Sequence, residues 1–427
     1  MRKSRILLRC IVVLLSCNGG IQVCAMQVRA TDHAKMKLMV CSLGKKNSSI
    51  DRVVAQVQKD FSFTKQFAVS VDHTSELVKN DDVKLFFQAG FPLVLFISKG
   101  KKHSIEWRLY DTQRATMLLG KIYTKRGKSP ELWADHIADA VWPVLTGQPG
   151  LFSTKIAYCK EVRRKGKKNL MRICYADFDG GNAKEFESPT VNVSPRWNKD
   201  PHNPLIFYSE HTNKNVRLVA MDMAGKRKIV SNFDGINMQA AFSPDGKQAV
   251  FSSSRGGGNC QLYYYEQGAL KKLTHNTGNN IAPTFSDDAQ TLFFCSDAET
   301  GSPQIYRYDL KTSKMERITT GGFCVSPSYC QQSDTLAYSK MVSGTMQIFT
   351  YDLKAKKHQQ VTFDAGHKDE SSWSPCGNYL LFAVETKKES RLALFNLITK
   401  GQQFITPEGS VCCYPSWSGA YNEFPTS

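Results

Sequence analysis

Short runs in which apolar and polar residues alternate fill the chain from residue 150 onward, the signature of half-buried strands. These runs recur at a fixed period. Aligned on itself, the stretch has six aromatic anchors: Trp197, Phe242, Phe285, Tyr329, Trp373 and Trp417. They are spaced 45, 43, 44, 44 and 44 residues apart. Pro stands two residues before four of them (Pro195, Pro283, Pro327, Pro415), and Ser follows four (Ser243, Ser286, Ser374, Ser418). A strand-rich unit of this length predicts a propeller blade of about four strands. In the clearest unit Ala240 to Ser243 reads as the inner strand and Ser243-Pro244-Asp245-Gly246 as the turn. Gln248 to Ser253, Gln261 to Tyr265 and Lys271 to Thr274 follow as the outer three. The second strand carries an aromatic in successive units (Tyr208, Phe251, Phe294, Tyr338, Phe382), placed to pack between blades.

Ten residues follow Trp417, enough for one strand and a tail. The missing three strands stand before the first anchor, at Lys155 to Cys159, Leu170 to Asp177 and Lys184 to Glu187. Tyr158 holds the second-strand aromatic position. The expected fold is a six-bladed propeller over residues 150–427, its sixth blade closed by the C-terminal strand so that no edge is left open. An open β-solenoid is the alternative, and the split first and last repeats argue against it.

Residues 26–149 have a different rhythm. Met36 to Leu43, Phe67 to Val71, Leu93 to Ser98, Ser104 to Asp111 and Met117 to Tyr123 read as strands. Ile50, Val53, Val54, Val57 and Phe61 recur at helical spacing, with Ser49 the candidate N-cap. Asp82 to Gln88 can open a second helix. Pro130 starts a third, with Trp133, Ile137, Ala140, Val141 and Val144 on one face. This predicts a small α/β domain with helices on one face of a mixed sheet, joined to the propeller by the stiff linker Thr146 to Gly150.

The first 25 residues read as a secretory signal peptide. Arg2, Lys3, Arg5 and Arg9 precede the short apolar run Cys10 to Ser16, and Val23-Cys24-Ala25 is a small-residue cleavage site. A membrane anchor and lipoprotein processing at Cys17 are the alternatives. The apolar run is far shorter than a spanning helix, which excludes a polytopic membrane protein. The formal charge is +18, and about +14 without the leader. The basic residues are dispersed, so an acidic partner or an anionic envelope surface is expected rather than nucleic acid. Of 13 cysteines, ten lie outside the leader. Most sit in strand-like runs as small buried hydrophobes. Cys324 with Cys330, and Cys412 with Cys413, stand out as the redox-active candidates in an exported chain.

Catalytic signatures are missing from the sequence. There is no G-x-S-x-G, no H-E-x-x-H and no P-loop. Arg255 to Asn259 is Gly-rich but joins two strands. Asp287-Asp288 lacks calcium-loop spacing. His136, beside Asp135 and Asp139, has no partner set for acid–base work. The expectation is a non-enzyme with no cofactor and no metal, in which binding is carried by loops on one face of the disc. These loops hold Asn192 to Ser194, Asn237-Met238-Gln239, Asn280-Ile281-Ala282, Cys324 to Ser326, Lys368-Asp369-Glu370, and Cys412 to Tyr414.

The run Trp133-Ala-Asp-His136-Ile-Ala-Asp139, continued by Leu145-Thr146-Gly147-Gln-Pro-Gly150-Leu-Phe152-Ser-Thr154-Lys155-Ile156-Ala157-Tyr158, resembles the domain junction of the TolB family. These are soluble periplasmic members of the Tol–Pal envelope system. The Phe-Ser-Pro-Asp-Gly repeat at Phe242 to Gly246 is similar to that family's propeller motif. The resemblance implies a periplasmic interaction protein, monomeric by default. It would bridge a peptidoglycan-associated lipoprotein (Pal) to an inner-membrane complex, supporting outer-membrane integrity and cell division. It further implies that a Pal-like lipoprotein docks on Asn237, Met238, Gln239, Asn280, Ile281, Ala282, Lys368, Asp369 and Glu370. The mature N-terminus, Met26, Gln27, Val28 and Arg29 onward, would bind a TolA-like protein or fold back on the chain. The alternatives are an accessory propeller of a peptidase complex and a cell-wall-binding propeller. The sequence departs from the family motif where Asp-Gly is lost, at Ser286-Asp287-Asp288, at Ser328-Tyr329-Cys330 and at Cys376 in Ser374 to Gly377. A divergent partner fits these departures.

Overall fold

The computed structural model describes residues 35–419 apart from 76–79, 102, 103, 125–128, 199 and 201. The leader and Met26 to Arg29 therefore lie outside the described residues. Five strands form one mixed sheet: β1 (Met36–Leu43), β2 (Phe67–Thr74), β3 (Leu93–Lys99), β4 (Ser104–Asp111) and β5 (Thr116–Thr124). Their order is β2-β1-β3-β4-β5, with β1 parallel to both neighbours. Helices α1 (Ser48–Phe63) and α3 (Pro130–Thr146) cover one face, where Val53, Val57, Phe61, Ile137 and Trp142 pack on Leu38, Val40, Leu95 and Trp107. Helix α2 (Asn80–Gln88) covers the other. Its Val83 packs on Met39, Cys41, Val94 and Phe96. The expectation of one covered face is thus corrected. β1 and β3 are apolar at consecutive positions, and such strands need burial on both sides. The N-cap of α1 is Asn47 rather than Ser49. Its side chain accepts from the backbone N–H of Ser49 and Ile50, satisfying two orphan donors of the first turn.

Six four-stranded antiparallel sheets follow, each ordered from an inner to an outer strand. The inner strands are Val191–Trp197, Asn237–Phe242, Asn280–Phe285, Cys324–Cys330, His367–Trp373 and Cys412–Trp417. The last pairs with Lys155–Val162 and so completes the sixth blade, as the count of strands required. Two anchor tryptophans tie their blade to the preceding one: Trp197 Nε1 donates to Ser416 O (3.1 Å) and Trp373 Nε1 to Ser328 O (3.0 Å). Trp417 Nε1 donates to Thr154 Oγ1 (2.8 Å), at the entry to the strand it closes on. The repeated turn works through its serine. Ser243 Oγ donates to Asp245 and accepts from Gln248 N, while Gly246 takes φ +70°. In the third blade Asp288 takes the place of Asp245, bonded to Ser286, so aspartate is retained there and Ala289 replaces glycine at φ 55°. Cys376 stands in the same place in the fifth blade, its sulfur 3.3 Å from Ser374 Oγ.

The α/β layer packs on the turn side of blades five and six. Tyr379 Oη and Asn396 Nδ2 donate to Thr64 O, and Phe63 meets Phe178 edge-on at 5.1 Å. Five carboxyl groups gather at this seam. Asp60 comes from α1, Asp135 and Asp139 from α3, and Asp177 and Asp179 from blade six. Lys59 pairs with Asp179 (2.7 Å) and Lys155 with Asp177. Asp139 accepts from the N–H of Phe152 and Ser153, which fixes the connecting segment against α3. Asp60 is 1% exposed and one of its oxygens has no partner. No helix among the described residues is long and apolar enough to cross a membrane.

Candidate functional site

The six residue triplets expected in loops lie inside the inner strands, and each ends in a β-bulge. The third residue of every triplet is left-handed: Ser194, Gln239, Ala282, Ser326, Glu370 and Tyr414 have φ between 52 and 60°. The register of inner strand on second strand shifts at that residue in all six blades. The bulge turns the strand so that the first triplet residue faces the protein and the third faces the central channel.

Three predicted contact residues are corrected by this geometry. Asn237, Asn280 and Lys368 are fully buried. Asn237 donates to Val216 O (3.0 Å) and Phe233 O (2.7 Å) and accepts from Ser231 and Ser253. Asn280 donates to Gln261, Asn276 and Gly278 O. Lys368 Nζ donates to Ala365 O (2.7 Å) and Asp364 O. Each holds the loop that enters its own blade, because buried loop carbonyls and amides must be paired. Met238, Ile281 and Asp369 are half-buried. Gln239, Ala282 and Glu370 line the channel, and Gln239 Oε1 accepts from Ala282 N (2.9 Å), linking two blades.

The channel holds a cavity of about 420 Å³. Its wall runs from the bulges to the turns and includes Arg196, Phe242, Phe285, Tyr329, Trp373 and Trp417. Burial, reinforced by the neighbouring Asp369 charge, pushes the Glu370 carboxyl up to about 8, against the pull of Arg196. Burial pulls the Arg196 guanidinium down. A polar, partly neutralised wall of this kind suits hydrogen-bonded recognition. It presents no nucleophile with an adjacent base, and no group that could hold a metal is found among the described residues.

Exposed apolar side chains stand in blade-entry loops, at the end of the inner strands away from the α/β layer. Phe363 (75% exposed), Phe323 (41%) and Ile236 (37%) stand in the loops that enter blades five, four and two. Arg255 lies over the Phe233 ring at 3.9 Å beside them. The sequence reading missed these residues because it centred the loops too late, on Met238, Val325 and Asp369. A lone Phe in a Gly- and Asp-rich loop, as at Phe363-Asp-Ala-Gly366, was the available signal. Large exposed apolar groups are a feature expected of an interaction surface.

A family model described as the TolB beta propeller domain matches residues 142–421. The chain belongs to the TolB propeller family. A Tol-Pal system protein TolB from Albidiferax ferrireducens is 29% identical over 246 residues, 56% of each chain. One from Rickettsia canadensis is 37% identical over 163 residues, covering 36% of this chain and 35% of its own. The chain thus spans about half or less of the length of these relatives. The crystal structure of TolB from Acinetobacter baumannii covers 90% of this chain and 97% of its own, with a TM-score of 0.75 at 23% identity, so the fold is shared. Both curated relatives are named Tol-Pal system proteins.

In this TolB propeller the ten described cysteines are all free thiols. Neither Cys324 with Cys330 nor Cys412 with Cys413 is bonded in the structure. Cys324, Cys330 and Cys412 are buried. Burial pushes the Cys324, Cys412 and Cys413 thiols up, away from the reactive thiolate. Adjacent strand residues also point to opposite faces, so Cys412 and Cys413 cannot meet. A six-fold pattern explains two other cysteines. Opposite the second triplet residue, the second strand carries Cys159, Ser209, Ser252, Cys295, Ser339 and Ala383. All are small, and the thiols of Cys159 and Cys295 lie 3.4 and 3.6 Å from the carbonyls of Asn192 and Cys324 in the next blade.

Proposed function

We propose that the protein is a periplasmic, non-enzymatic adaptor of a Tol–Pal-type system. It binds a Pal-like, peptidoglycan-associated lipoprotein through its propeller and a TolA-like inner-membrane protein through the segment beginning Met26-Gln27-Val28-Arg29. In this reading residues 1–25 export the chain, 26–149 form the inner-membrane-facing unit, and 150–427 form the lipoprotein-binding unit. Linking the two membranes would support outer-membrane integrity and division. The observation that carries the reading is the set of exposed apolar side chains Phe363, Phe323 and Ile236, in blade-entry loops of a TolB-family propeller. With the channel walls of Gln239, Ala282 and Glu370, they give the apolar-and-polar mixture of a transient protein interface. The basic balance of the chain suits an acidic partner.

The test is a calorimetric titration of residues 26–427 with the Pal-like lipoprotein domain of the same genome. Saturable 1:1 binding is expected, and Phe363→Glu or Phe323→Glu should weaken it by about tenfold or more. Substitutions at Met238 or Ile281 should have smaller effects because those side chains are half-buried. Full affinity in both phenylalanine variants would overturn the face. Binding to isolated cell-wall sacculi with no protein partner present would replace the lipoprotein by the wall itself.

A further inference from the structure

We propose that Cys159 and Cys413, both free thiols in this structure, join under oxidising conditions in a disulfide that locks the propeller ring shut. The two residues are register partners in antiparallel strands: Cys413 is on the closing inner strand and Cys159 on the strand it joins. Register partners point to the same face of a sheet. Both side chains pack in one cluster with Trp197, Ile206 and Tyr208 of blade one. Among the six equivalent pairs of the bulge pattern, the other five match a valine, methionine, isoleucine or aspartate against a small residue. The pair of thiols occurs in the blade assembled from the two ends of the propeller sequence.

Register partners of this kind have Cα atoms about 5.5 Å apart, inside the range that disulfides span. The strand carrying Cys413 breaks register at the next residue, Tyr414, so regular pairing ends directly beside the two thiols. The bond would form by exchange with a disulfide donor. One cysteine thiolate attacks the donor and releases one donor thiol. The second attacks the resulting mixed disulfide at the protein sulfur, releasing the other donor thiol, and the two protons leave with the donor. Cys159 is inaccessible in the closed ring, so exchange belongs to the moment before the last strand docks. The oxidising compartment rests on the export reading above, whereas the chemistry can be tested without it.

The reduced, unfolded chain is refolded in a mixture of oxidised and reduced glutathione, and in parallel with a monothiol-free dithiol reductant. Peptide mapping under non-reducing conditions is expected to link Cys159 to Cys413. The oxidised protein should unfold at a midpoint higher by roughly 5–10 °C, since the bond closes a loop of most of the propeller. Cys159→Ser and Cys413→Val, which install residues the other blades already use, should fold and lose both the link and the shift. Folded protein with both thiols free after refolding in glutathione would overturn the proposal, as would links scattered among other cysteines.

Discussion

At the scale of the residue, the six bulges separate two kinds of polar side chain that the sequence presents side by side. Asn280 holds a loop, whereas its near neighbour Ala282 faces the channel. Replacing Asn280 by alanine leaves the buried Gln261 Oε1 without its partner and removes a second donor to Gly278 O, and should cost about 1–3 kcal/mol in denaturant unfolding. Ala282→Gly is expected to do the opposite. A left-handed alanine is strained by about 1 kcal/mol relative to glycine, so the variant should gain a fraction of that in the same assay. The spacing of the anchors located these triplets in the sequence. It did not reveal that they are strand rather than loop, since a left-handed Ser, Gln, Ala or Glu leaves no mark in composition. The polar Asn and Lys were read as ligand-facing for the same reason: a polar residue bonded to its own loop and one awaiting a partner have the same letter.

At the scale of the element, the seam between α1, α3 and blade six carries an uncommon electrostatic load. Burial pushes the Asp60 carboxyl well above its ordinary range, and Asp135 up to about 9, with Asp60 as the next cause. Burial raises Asp139 too, although its bonds from Ser153 and Phe152 pull the other way. These groups keep protons when folded that they release when unfolded, where an aspartate titrates near 3.9. Their contribution to stability is therefore complete at low pH and is lost as pH rises through the folded values. The unfolding midpoint should fall progressively between about pH 4 and pH 9, and Asp135→Asn should flatten that slope. A calorimetric pH series on both proteins checks this; equal slopes would place the proton elsewhere. The helices behind this seam were legible from their apolar spacing. The second covered face was not, because Val83 is a single residue and α2 a short helix.

At the scale of the whole molecule, the ring depends on one strand. Removing residues 412–427 deletes the inner strand of blade six and exposes the edge of Lys155–Val162. The shortened chain should unfold broadly instead of cooperatively and should self-associate, as measured by calorimetry and light scattering. This architecture was legible by arithmetic, because a repeat that starts three strands in and ends one strand late can only be made whole by joining its ends. The face that meets a partner was not, since it depends on which loops the α/β layer leaves uncovered.

That joining has a consequence in time. The strand that receives the closure emerges from synthesis early, and the strand that supplies it emerges last. Throughout the interval an arc of finished blades waits with one side unzipped. Speed of delivery, and whatever holdase shelters the open arc, thus matter as much to a working yield as the strength of any contact in the completed wheel.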